Sequence, residues 1–200
     1  MSDAAIAVDA RFPGLRREVV DGYLRAPAHM VAEVLDGELF VMSRPRRQHS
    51  RASSRLGGEL YAPFDRGGNP GGWVILDEPE LHLGSKPDIV VPDLAGWRRE
   101  RVPEDFFDDE APAHIELAPD WVCEVISPST EREDRGVKMR IYRREKVGHV
   151  WLLDPTIRTL EVYRLENGRY SLLDTFDGDE PVRAEPFDAI ALELRVLWAR

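Results

Sequence analysis

The chain has 200 residues and a mass of 22.8 kDa, a length that fits one domain with elaborations and supports a core without disulfides or a structural metal. Its 42% hydrophobic and 32% charged residues exclude wholesale disorder and collagen-like or low-complexity architecture. No apolar stretch approaches the ~18 residues that span a bilayer, and a net charge of −10 speaks against a uniformly basic nucleic-acid binder.

In chain order, residues 1–12 lack the basic-then-apolar order of a signal peptide, so a cytoplasmic location is expected. Residues 1–30 read as an N-terminal segment with weak signals. Asp36-Gly37, set between residues 30–35 and 38–42, predicts a hairpin, because that pair tolerates positive φ. Leu56, Leu60 and Phe64 at helical spacing predict a helix over 48–63, ended by the glycine cluster at 67–72. Residues 73–76, 80–83 and 89–91 read as an antiparallel run of short strands. From 93 to 120 the composition turns acidic and proline-bearing without a sustained period, which predicts an inserted loop.

Residues 121–126 are apolar except for Glu124, the pattern of a strand buried on both faces. Thr130 and Glu133 have capping-box spacing, predicting a helix that runs on to about 146. Residues 150–153 form a second buried strand, and strand, helix, strand implies a parallel crossover. Asn167-Gly168 between 160–165 and 170–173 predicts a hairpin, and Ile190, Leu192 and Leu194 alternate as in a final strand. The expectation is one α/β domain over 31–200, with a core at about 48–155 and a C-terminal β elaboration at 156–200.

Cys123 is the only cysteine, which excludes an intrachain disulfide, and its apolar neighbours predict an inert core thiol. Charge is segregated. Residues 43–55 carry five arginines and no acid, residues 130–148 carry seven basic side chains against four acidic, and residues 104–120 carry seven acids and no Lys or Arg. Such runs are solvated faces or, for the basic ones, phosphate-binding surfaces.

Asp88 opens a hydrophobic strand and Glu124 sits inside one, where an ionised carboxylate is costly unless paired, hydrogen-bonded or metal-bound. Glu124 is therefore either half of a buried salt bridge, to Lys138 or an arginine, or a metal ligand. Two carboxylates on adjacent strands would need a cation between them, and oxygen ligands suit Mg²⁺. Lys138, on the helix after Glu124, either turns inward to these acids or lies solvated on the outer face. His49, beside Arg47 and Arg51 at the start of the first long helix, is either a phosphate contact or part of an exposed helix start. Glu33 is a further candidate acid. His29, His82, His114 and His149 show no metal-ligand spacing, and the glycine cluster lacks the Lys-Ser/Thr of a phosphate-binding loop.

Several strings carry a resemblance. They are Lys86-Pro87-Asp88-Ile89-Val90-Val91, Glu124-Val125-Ile126-Ser127-Pro128-Ser129-Thr130, Asp134 with Lys138 and Tyr142, and Val150-Trp151-Leu152-Leu153-Asp154-Pro155. Together with Glu33 to Leu39, Met42-Ser43 and His49, they resemble the Uma-two family of restriction-endonuclease-like proteins over about 30–175. The resemblance implies the PD-(D/E)XK nuclease superfamily, with a restriction-endonuclease-like core of a mixed central sheet flanked by helices. It implies a Mg²⁺- or Mn²⁺-dependent endonuclease acting on DNA, with Asp88 and Glu124 as metal ligands and Lys138 as the catalytic cation. The superfamily lysine would fall at Ile126, so the resemblance assigns its role to Lys138. A catalytically silent module that binds nucleic acid or a protein partner is the alternative. A homodimer is expected on the general frequency of two-fold assemblies.

Overall fold

The computed structural model describes residues 11–199, and the expectations for residues 1–10 lie outside them. Two sheets are stacked with helices on their outer faces and one helix between. The smaller sheet has the order β2-β1-β5-β4, all antiparallel, built from β1 (Met30–Leu35), β2 (Glu38–Ser43), β4 (Leu81–Leu83) and β5 (Asp88–Val90). The larger sheet has six strands in the order β10-β9-β8-β7-β6-β3. These are β3 (Trp73–Asp77), β6 (Leu94–Arg98), β7 (Trp121–Val125), β8 (His149–Asp154), β9 (Thr159–Glu166) and β10 (Arg169–Asp177). Only β7 and β8 are parallel, which makes it a mixed sheet.

The two hairpins form where turn chemistry dictates. Asp36 and Gly37 take φ of 50° and 79°, and Asn167 and Gly168 take 50° and 76°, the consecutive positive values of a tight hairpin turn. The crossover from β7 to β8 also forms as the apolar pattern requires. Trp121, Cys123 and Val125 face one core and Val122 and Ile126 face the other, so β7 is buried on both sides.

Three cores follow from this layering. α1 (Arg17–Leu24) lays Val19 and Val20 on Val34 and Ile89, on the outer face of the small sheet. Between the sheets, Leu35, Leu81 and Val90 meet Val122, Val150 and Leu152, with Ile141 and Tyr142 of α4 (Met139–Arg144) among them. On the far face, Ala52, Leu56 and Leu60 of α2 (Arg47–Leu60) join Trp121, Trp151, Phe187 and the short helix α5 (Leu194–Trp198). Phe187 is the centre of an aromatic cage, 4.7 Å from the Trp73 ring and 4.9 Å from Trp121. Packing and the buried indole N–H of Trp151, which donates to the Glu185 carbonyl at 2.7 Å, fix the C-terminal segment against the sheet.

Four expectations are corrected. The acidic stretch is not wholly an insertion, because its first residues form β6, an interior strand between β7 and β3. Apart from Asp93, its acids begin at Glu100, so composition averaged over 93–120 hid a buried apolar strand. The expected antiparallel run is split, with β3 in the large sheet and β4 and β5 in the small one. The Thr130–Glu133 capping box does not form: Thr130 makes no cap hydrogen bond and instead bonds the Asp134 carboxyl. Alternation past residue 190 yields only the short β12 (Leu192–Glu193), paired with β11 (Pro181–Val182), after which Leu194 begins α5. Among the described residues, no helix is long and apolar enough to cross a membrane.

Candidate active site

Alternation along β7 aims Glu124 at the space between the sheets, where it is only 2% exposed. The helix that follows determines what it meets. α3 (Glu131–Glu133) is continued by a widened π turn over Asp134–Lys138 before α4 begins. Such a turn re-aims side chains relative to a regular helix. Here both Asp134 and Lys138 are turned inward and buried.

The Lys138 ammonium lies 3.3 Å from Glu124, 3.1 Å from Glu33 on β1 and 3.2 Å from Asp134. Glu33 belongs to the inward face of its hairpin, is fully buried, and accepts the Val91 N–H at 2.8 Å. Its other oxygen, Oε2, has no hydrogen-bond partner. The Tyr142 hydroxyl, one turn after Lys138, donates to Glu124 Oε1. A fourth carboxylate enters from the start of β6. Leu94 is paired with Cys123, so Asp93 comes opposite Glu124, and its Oδ2 accepts the Val125 N–H at 2.7 Å. The same oxygen is 3.3 Å from Nε2 of His49, which α2 brings in from the other side.

The electrostatics follow from enclosing several acids with few cations. Burial raises the pKa of Glu124 well above the usual carboxylate range; Lys138 opposes this, while Asp134, Asp93 and Glu33 reinforce it. Burial likewise raises Glu33 and Asp134, again opposed first by Lys138. Burial works against the charge on Lys138, but the attraction of Glu124, Glu33 and Asp134 prevails and holds its pKa well above the lysine norm. For His49, burial is outweighed by the hydrogen bond and charge of Asp93, and its pKa rises. Tyr142 is held protonated by burial and by the Glu124 charge.

This donor set fits a hard divalent cation. Glu33, Asp93 and Glu124 offer carboxylate oxygens from three strands, one of them orphaned, and the surplus of negative charge favours a further cation. Access is through a cleft of about 580 Å³ lined by Ser43, Arg44, Arg46, His49 and the turn at residues 127–130. His49 connects this cleft to Asp93, and Thr130 connects it to Asp134. Arg47 and Arg51 are exposed on α2 beside it.

Glu124, Lys138 and Glu33 are thus brought together, and His49 joins them as a buried side chain, not as part of an exposed helix start. Asp88 does not join them. It lies on β5 of the small sheet, where its carboxylate accepts the Asp36 N–H at 2.5 Å and pairs with Arg144. Arg144 is six residues beyond Lys138, roughly 9 Å along the helix axis, so Asp88 meets the far end of α4. The expectation that Asp88 and Glu124 form a pair on neighbouring strands is therefore corrected. Asp93 was missed, although the sequence contains the signal: a second Pro-Asp, Pro92-Asp93, directly after the apolar strand. Ile126 is buried in the core between the sheets, so no cation comes from that position.

A mixed sheet whose adjacent strands deliver Asp93 and Glu124 to one buried cluster, beside a helix-borne lysine, defines a restriction-endonuclease-like α/β domain. The Uma2 family, described as "Putative restriction endonuclease", matches residues 20–196, and the chain belongs to that family. A crystal structure of "a putative nuclease belonging to DUF820" from Anabaena variabilis shares the fold, with a TM-score of 0.72 at 21% identity. The match covers 90% of this chain and 97% of that one. No curated protein sequence matches the chain.

Proposed function

We propose that this chain is a divalent-metal-dependent endonuclease that hydrolyses phosphodiester bonds of DNA, with Glu33, Asp93 and Glu124 as the carboxylates that hold Mg²⁺ or Mn²⁺. The observation that carries this reading is the convergence of Glu33 and Glu124 on Lys138, with Asp93 opposite Glu124 in the β6–β7 pairing and joined through His49 to an arginine-rimmed cleft. Bound there, the metal would supply Lewis-acid polarisation of the phosphate and activation of water.

The protein's own groups divide the remaining work. Lys138, kept charged by its acids, presents fixed positive charge where negative charge develops in phosphoryl transfer. Tyr142 fixes the Glu124 carboxylate through its hydroxyl, and the Val91 and Val125 N–H groups fix Glu33 and Asp93. His49 holds Asp93 from the cleft side. Arg44, Arg46, Arg47 and Arg51 give the otherwise acidic chain a local basic rim for the phosphate backbone. A two-fold dimer would present two such sites to the two strands of a duplex.

The test is incubation of purified protein with plasmid and short duplex DNA in Mg²⁺, Mn²⁺ or EDTA, alongside Asp93→Asn, Lys138→Met and Asp88→Asn. Metal-dependent cleavage lost in the first two variants and kept in the third is the expected result. Cleavage indifferent to Asp93→Asn would overturn the assignment of the site. DNA binding with no cleavage under any metal would favour the silent-module reading, to which the buried Ile126 at the superfamily lysine position lends support.

A further inference from the structure

A second set of ligating side chains gathers at the opposite edge of the small sheet. Glu80 precedes β4, His82 is at its centre, and His114 reaches in from the segment between β6 and β7. One oxygen or nitrogen from each lies within 4.8 Å of those of the others. The backbone locks this approach. The His82 N–H donates to the Ile115 carbonyl and the Ile115 N–H to the Glu80 carbonyl, both at 2.9 Å, so Leu81 and Ile115 form a parallel bridge. Side chains flanking such a bridge point to its same side. Glu80, His82, His114 and Glu116 therefore share one face.

On that face His82 Nε2 is 2.8 Å from Glu80 Oε1, and the two imidazoles stack with centroids 4.0 Å apart and planes 16° from parallel. His82 is 5% exposed beneath the Phe12 ring, while the His114 side chain remains 22% exposed. Glu80 is held below the usual carboxylate range by the His82 hydrogen bond first and by the Tyr23 hydroxyl as well.

We propose that Glu80, His82 and His114 form a binding site for one transition-metal ion of the Zn²⁺ class, separate from the acid cluster. Two imidazole nitrogens and one carboxylate are an N/O set that selects Zn²⁺ over Mg²⁺, the reverse of the all-oxygen set at Glu33, Asp93 and Glu124. Tetrahedral bonds of about 2.0–2.1 Å place ligand atoms roughly 3.3 Å apart. The ligand atoms, now within 4.8 Å of one another, must draw together by up to about 1.5 Å, and one imidazole must turn out of the stack, because the in-plane lone pairs of parallel rings do not meet at one ion; His114, on an irregular segment, is the ring that moves. Glu116, whose Oε1 is 3.6 Å from His114 Nε2, or water completes the shell. The ion fastens the segment around His114 to β4 and, through Tyr23 and Glu80, to α1.

The experiment uses tag-free, metal-stripped full chain, with Zn²⁺ titrated against a chromogenic chelator and Co²⁺ as a visible-absorbing substitute. The expected result is one Zn²⁺ per chain, not displaced by excess Mg²⁺, with tetrahedral Co²⁺ bands. His114→Gln, at a partly exposed position, and Glu80→Gln should each weaken binding by at least about tenfold with unchanged circular dichroism. Asp93→Asn/Glu124→Gln should bind Zn²⁺ as the wild type does. Absence of binding by the wild type, equal binding by both single variants, or loss confined to the Asp93/Glu124 double variant would each overturn the proposal. None of these readouts depends on nuclease activity.

Discussion

The Lys138 ammonium lies 3.3 Å from the Glu124 carboxylate, in a space where Glu33, Glu124, Asp134 and Lys138 are each at most 3% exposed. A buried ion pair of this kind is a poor source of stability, because desolvating two charges offsets most of their attraction. Here one cation faces several acids, an excess that a structural role would not require. The arrangement accounts for stability only if the carboxyls are partly protonated or a further cation is present.

Lys138→Met tests that balance. Removing the cation leaves Glu33, Glu124 and Asp134 buried with no ammonium among them, and a broken buried pair costs about 3–5 kcal/mol. Urea denaturation in chelator should show an unfolding free energy lower by that amount and a correspondingly lower midpoint, partly recovered by Mg²⁺ through mass action on the folded state. An unchanged midpoint would mean that the carboxyls are already neutral.

Acidity provides a second check. Burial raises the folded pKa of Glu124, Glu33 and Asp134 above the unfolded value. The folded state therefore binds more protons, and stability declines as pH rises from the ordinary carboxylate pKa of about 4.3 through the raised folded values. Glu124→Gln removes the largest contributor while leaving Lys138 with Glu33 at 3.1 Å and Asp134 at 3.2 Å. In metal-free buffer the variant should lose stability less steeply as pH rises above the ordinary carboxylate range and exceed wild type once the raised folded values are passed. A steeper decline than wild type would contradict the direction of these shifts.

Asp88 and Asp93 should differ in their effect on cleavage. Asp93→Asn should lower metal-dependent cleavage by about 10²-fold or more, at a stability cost of the same order as that of Asp88→Asn, because its carboxylate accepts the Val125 N–H and pairs with His49. Asp88→Asn weakens a carboxylate that accepts the Asp36 N–H and pairs with Arg144, contacts worth about 1.5–3 kcal/mol together with their charge. It should lower stability by that order and leave cleavage within roughly threefold of wild type. The reverse pattern would restore Asp88 to the site.

How far the site could be read in advance depended on whether each signal was local. Glu124 was legible because a carboxylate inside a buried strand contradicts its surroundings, whereas for Lys138 the sequence left the inward and solvated orientations open and the π turn decided between them. Both hairpins were legible from Asp36-Gly37 and Asn167-Gly168, whose turn chemistry needs no partner. Asp93 was not, because choosing between two Pro-Asp dipeptides requires knowing that β5 and β6 belong to different sheets. Asp134 depended on a π turn, which no propensity encodes, and Glu33 on which face of a hairpin another element would cover. The Glu80–His82–His114 group was invisible for the same reason, since its spacing arises only when residue 115 pairs with residue 81.

Gly96 is a packing prediction on the strand that composition concealed. A Cβ there would stand 3.1 Å from Cε3 of Trp121 and 3.3 Å from Cε3 of Trp73. Both rings are held by Phe187 and cannot retreat. Gly96→Val should cost about 1–3 kcal/mol, seen as a lower denaturation midpoint and increased tryptophan fluorescence exposure. A neutral effect would show that the cage is more compliant than its contacts imply.

The arginine rim can be separated from the chemistry. Arg47 and Arg51 are one turn apart on the exposed face of α2, adjacent to the cleft but outside the acid cluster. If they contact phosphates, Arg47→Ala/Arg51→Ala should weaken DNA binding uniformly across sequences. Each lost contact should reduce the slope of log K against log salt by about 0.9 for duplex DNA. Because neither side chain supports the core, thermal stability should stay within about 0.5 kcal/mol of wild type. At saturating DNA the cleavage rate should persist, because Glu33, Asp93, Glu124 and Lys138 remain in place. An unaltered salt slope would move the nucleic-acid track away from this face of α2, leaving Arg44 and Arg46, which line the cleft, as the cations to substitute next.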